Sequence, residues 1–218
     1  MRGFALSFRA MFAGLRFLVR PRLAFVIAAL AAAVLVAGCR ADQFDPSAPC
    51  EGDDRLPGAY PSLEALVPRS LDGRPPSRVD SGRSCSPGAL GPLAQHGIAE
   101  MRFAGSTWEQ GSNSGTTIAV FEAPNLKAEW VHEFYVSGAE AGRNTESIET
   151  SNPTVAGEPA FRVDALNGES YQTVIDWQDG DRVRVVLVAS FIRLISSKAE
   201  HDAAVQAAVE AATGEPAE

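Results

Sequence analysis

Cysteine and histidine are scarce, three of each in 218 residues, and neither is grouped for metal chemistry. No CxxC pair occurs, and His96, His132 and His201 stand far apart along the chain, which excludes the common structural zinc spacings. The zinc-protease pair HExxH is also missing, because "EWVHEF" offers His132 with Glu129 and Glu133 but no second histidine. GxSxG and GxxxxGK are absent as well, so neither a nucleophile elbow nor a phosphate-cradling loop is present. No metal and no cofactor is expected.

Acidic residues are missing from the first 38 positions, which hold Arg2, Arg9, Arg16, Arg20 and Arg22; every Asp and Glu lies beyond Cys39. That asymmetry marks a targeting segment. The uncharged block Leu23 to Val36 falls short of the roughly 20 residues that span a bilayer, but it suits the apolar core of a signal peptide. It ends in Val36-Ala37-Gly38-Cys39, an aliphatic residue and two small ones before a cysteine.

These four residues resemble the lipobox of bacterial lipoproteins. The resemblance covers the signal segment alone and implies that the Cys39 thiol receives a diacylglyceryl group, such as one built on palmitate, with cleavage between Gly38 and Cys39. Residues 1–38 are then the signal peptide, and the mature protein is held on the extracytoplasmic side of the cell membrane by lipid. Each buried methylene of such an anchor contributes about 0.8 kcal/mol. Because the charged leader is long, Met11 is an alternative to Met1 as the start of translation.

Cleavage would remove five of the 19 basic residues and none of the 27 acidic ones, taking the formal charge from −8 to −13. A surface of that sign repels nucleic-acid phosphates, so a nucleic-acid partner is excluded. With Cys39 acylated, Cys50 and Cys85 are left as an even pair in an exported protein, and a disulfide between them is expected.

Turn-forming residues divide the remainder. Residues 39–61, rich in Asp, Pro, Gly and Ala, read as a flexible tether. Residues 62–89 read as a loop-rich flap with one helical turn begun by Ser62. The ordered domain is expected over 90–213, with 214–218 as a tail. Within it "EMRFAGSTWEQ" and "TTIAVFEA" suggest a hairpin, and Leu126, Trp130 and Phe134 recur at helical spacing behind Asn125 as cap. Three strand-like runs meet at Asn167-Gly168 and Asp179-Gly180, dipeptides suited to tight turns. A last helix opens with the capping box Ser197 to Glu200. The sum is an α+β fold, an antiparallel sheet of about four to six strands with two main helices packed on one face.

Candidate chemistry is thin. His132 with Glu129, three residues apart on a helix, is the pattern of a general base and its orienting carboxylate, the basis of an alternative reading as an envelope hydrolase. Its competing explanation is a solvated helix face. Tyr171 and Trp177 fall on one face of a strand and would bind a ligand only if that face were open. The leading expectation is a membrane-anchored binding or interaction module of the cell envelope, its partner an envelope protein or a small solute.

Overall fold

Alternation of apolar residues on both faces of the long strands dictates a covered sheet. In the structure, a computed structural model describing residues 44–111, 114–195 and 197–214, that sheet is far larger than expected. Nine strands occur among the described residues: β1 Asp54–Leu56, β2 Arg78–Ser84, β3 Met101–Glu109, β4 Gly115–Glu122, β5 Thr145–Ser151, β6 Thr154–Val155, β7 Glu158–Asn167, β8 Ser170–Asp179 and β9 Arg182–Phe191. Their spatial order is β1-β2-β3-β4-β9-β8-β7-β5, with β6 beside β5 on the outer side of β7, and every pairing is antiparallel.

The expectation of an α+β fold with about four to six strands is therefore overturned, and the protein is sheet-dominated. Among the described residues five α-helices accompany the strands: α1 Pro61–Glu64, α2 Pro87–Leu90, α3 Pro92–Gln95, α4 Ala128–Glu140 and α5 Lys198–Thr213. They occupy both faces of the sheet rather than one. On the first face α4 with α2 and α3 covers Phe121, Val163, Val174, Val183 and Val185. The second face carries α5 over Ile118, Ile175, Trp177, Val186 and Val188, with α1 over Ala104 and Val120.

Strand β9 explains the arrangement. It lies between β4 and β8, and its alternate residues Val183/Val185 and Val186/Val188 are buried on opposite faces, so helices are needed on each side. Tight turns behave as their glycines suggest: Gly168 and Gly180 take φ of 57° and 62°, each opening a two-residue loop between strands paired at Asn167–Ser170 and Asp179–Arg182.

Two starts of helices differ from expectation. Asn125 sits at φ 60° before α4 and does not cap it; the first helical amide, Ala128 N–H, donates instead to Gln178 Oε1 of β8 at 3.0 Å. Helix α1 begins at Pro61, with Tyr60 rather than Ser62 outside its first turn. Ser197 caps α5 as the sequence suggests, accepting from the Glu200 amide.

Cys50 and Cys85 form the expected disulfide, with Cα atoms 6.2 Å apart. The stretch expected as a tether is held by more than this bond. The Arg83 guanidinium donates to the carbonyls of Asp45, Ala48 and Pro49, and Asp53 accepts from the amides of Cys85 and Ser86. Residues 44–61 are thus fastened to β2 instead of swinging free. Contact between β1 and β2 is so close that a Cβ on Gly82 would lie 2.3 Å from the Asp54 carbonyl, and only glycine fits there. The signal segment 1–38, Cys39 and residues 215–218 lie outside the described residues.

Candidate functional site

Helix α4 sits on β7 and β8 with one histidine facing inward. His132 stacks on Phe161 with ring centroids 5.2 Å apart, and its Nδ1 lies 3.6 Å from Oδ1 of Asp176. Charges at that separation attract, but the distance is too long for a hydrogen bond. Asp176 is wholly buried, flanked in register by Phe161 of β7 and Val185 of β9, and neither of its oxygens has a hydrogen-bond partner among the described residues. Burial pushes its carboxyl up to about 6 from 3.8, against the opposing pull of His132. The Tyr135 phenol is also raised above its ordinary value, first by burial and then by the Asp176 charge.

Glu129 is exposed on the same helix, so the carboxylate nearest His132 is one from β8 rather than its helical neighbour. Glu133 instead pairs with His96, at the end of α3, at 2.6 Å. Asp176 gives no sign of a site in the sequence, standing three residues before the Asp179-Gly180 turn. The usable signal was its even spacing from Val174, which assigns it to the inward face of β8.

A second histidine is buried on the opposite face. His201, in the first turns of α5, bonds through Nδ1 to Ser190 Oγ and through Nε2 to Thr173 Oγ1, both at 2.8 Å. Thr173 in turn donates to Asp164 at 2.5 Å, and Asp164 is held by Arg162. Burial holds the His201 imidazole below its ordinary pKa, so the ring is neutral and clamps α5 to β8 and β9. His201→Ala should cost about 2–4 kcal/mol from two lost hydrogen bonds and a cavity. Urea unfolding would measure it, and a loss under 1 kcal/mol would contradict the clamp.

Tyr171 and Trp177 share the α5 face of β8 as their spacing requires, but they do not act together. Trp177 is core, 3 % exposed. Tyr171 lies 5.8 Å from the His201 ring on the wall of a hollow of about 180 Å³ bounded also by Glu149 and Lys198. No group of three or more His, Cys, Asp or Glu residues among those described is placed to hold a metal ion.

Two larger hollows are bounded by the described residues. One of about 790 Å³ lies at the end of the sheet beside the β8–β9 turn and is lined by charged side chains, among them Lys127, Arg102, which pairs with Glu100, and Glu122, which pairs with Arg182. The other, about 530 Å³, opens between α4 and the first sheet face. Phe134, Tyr135, Val163, Val174 and Leu187 wall it, with Gly88, Gly91 and Pro92 of the α2–α3 segment at its rim. It has the size and apolar lining of a small-molecule site. Compared with protein families, with curated proteins and with solved structures, the chain matches none.

Proposed function

We propose that this protein is an exported binding protein, attached through lipid on Cys39 to the extracytoplasmic side of the cell membrane, that holds a small apolar solute between α4 and the sheet. The observation that carries the reading is the 530 Å³ cleft with its wall of Phe134, Val163, Val174 and Leu187. Attachment is supported by the Val36-Ala37-Gly38-Cys39 motif. Among the described residues no helix is long and apolar enough to cross a membrane.

Gly138 supplies the test. It lies within α4, lines the cleft, and a Cβ added there meets nothing within 4 Å. Gly138→Leu therefore pushes a side chain into the cleft while improving helix propensity by about 0.8 kcal/mol. Native mass spectra of membrane-extracted protein should show a retained small molecule in the parent and none in the variant, with an equal or higher melting temperature. The variant retaining the molecule would refute the cleft as the site. The intact mass should begin at Cys39 with a lipid adduct; an unlipidated soluble form would refute the anchor.

A further inference from the structure

The polar part of the cleft is uncharged. Ser137, Thr145, Asn167 and Gln172 contribute hydroxyls and amides, and no Asp, Glu, Lys, Arg or His lines it among the described residues. A ligand carrying a full charge into this space would lose hydration without meeting an opposite charge, which is strongly unfavourable.

Polarity is also graded along the sheet. Three successive rows of cross-strand neighbours face α4: Ala165–Gln172–Ala189, then Val163–Val174–Leu187, then Phe161–Asp176–Val185. Asn167 and Thr145, paired across β7 and β5, stand at the amide end. An apolar row therefore follows a hydrogen-bonding row, and behind both lies a buried carboxylate with no hydrogen-bonding partner. At neutral pH the negative potential of Asp176 opposes any anion drawn into the cleft.

Resting on the binding function proposed above, we infer that the ligand is an uncharged single-chain amphiphile. Its hydroxyl-bearing head lies at Gln172, Asn167 and Thr145, and its alkyl chain lies on Val163, Val174 and Leu187. Gly88 of the lining is three positions after Cys85, which is bonded to Cys50. A monoacylglycerol has this chemistry, whether it enters from a bilayer or from solution.

The probe is a long-chain monoacylglycerol bearing a diazirine on its acyl chain, presented to the full-length processed protein in vesicles and, separately, as monomer in solution. Crosslinks are expected within α4 or β7–β8. Excess unlabelled monoacylglycerol should abolish them, while the fatty acid and alkylammonium of equal chain length compete more than about tenfold less well. Labelling from either source supports the ligand class, and the two arms separate its routes of entry. Equal competition by a charged chain, crosslinks confined elsewhere, or undiminished labelling of Gly138→Leu would each overturn it. A natively retained molecule that Gly138→Leu expels but monoacylglycerol does not displace would overturn this inference and leave cleft binding intact. No labelling and no retained molecule would overturn both.

Discussion

Asp176→Leu is expected to stabilise the protein by about 3 kcal/mol at pH 7. The parent carboxyl, ordinarily at 3.8, is pushed to about 6, and each unit corresponds to about 1.4 kcal/mol. Because the side chain is 0 % exposed, solvent does not soften the penalty. Below about pH 4 the carboxyl is protonated in both folded and unfolded chains, and ionisation costs nothing. Between about pH 4 and 6 the folded chain keeps a proton that the unfolded chain releases, so the parent loses stability as pH rises; above that window the loss is complete.

The measurement is urea unfolding of parent and variant from pH 4 to 7.5, with Asp176→Asn as the isosteric control that removes titration but keeps polarity. Taking the difference between proteins matters. His201, whose depressed pKa makes stability fall with falling pH, contributes equally to each and cancels. A difference independent of pH would show that Asp176 is not the buried acid described here.

Loss of the Cys50–Cys85 bond is expected to cost about 4 kcal/mol. With the cysteines 35 positions apart, the chain-entropy relation gives about that figure before any relief of native strain. The closed loop contains β1, α1 and β2, which pack on the sheet with few large apolar side chains, Leu63, Val67 and Leu71 among them. Reduction should therefore loosen this flank first while β4, β9 and β8 hold. Hydrogen exchange with and without reductant would resolve the order, and the double variant Cys50→Ala/Cys85→Ala would give the energy. Uniform loss of protection across all strands would contradict a local staple.

Legibility in the sequence followed hydrophobic pattern. Strands β7 to β9 and helices α4 and α5 carry clear periodicity, and Gly168 and Gly180 punctuate them where expected. Strand β2 does not: in "RVDSGRS" Asp80, Ser81 and Arg83 are buried, and apart from Arg83 Nε their bonding groups meet polar partners. Ser81 donates to Glu64 at 2.8 Å, accepts from the Tyr60 amide, and Asp80 pairs with Arg78 at 3.1 Å. Buried polar residues held by distant partners leave no periodic trace. Strand β5, "TESIETS", is exposed along most of its length and is a strand only because β7 pairs with it.

The same separation limited the site. His132 was visible as a histidine on an amphipathic helix, but its carboxylate comes from a strand more than forty positions later. The cleft is assembled from three helices and four strands, and depends on small residues such as Gly91, Gly138 and Ala165 that carry no chemical signature of their own.

The sheet's borders bear on whether copies of this protein associate when they are concentrated. An open antiparallel sheet can recruit a further strand from a neighbouring molecule wherever its outermost backbone is long, flat and apolar. Here one border, β1, is three exposed residues with Asp54 and Arg55 among them. At the other, β5 carries Glu146 and Glu149, its register shifts between Thr145 and Ser147, and Pro153 separates it from β6. Neither border offers a template for self-association, so molecules packed side by side are kept from polymerising through their backbones.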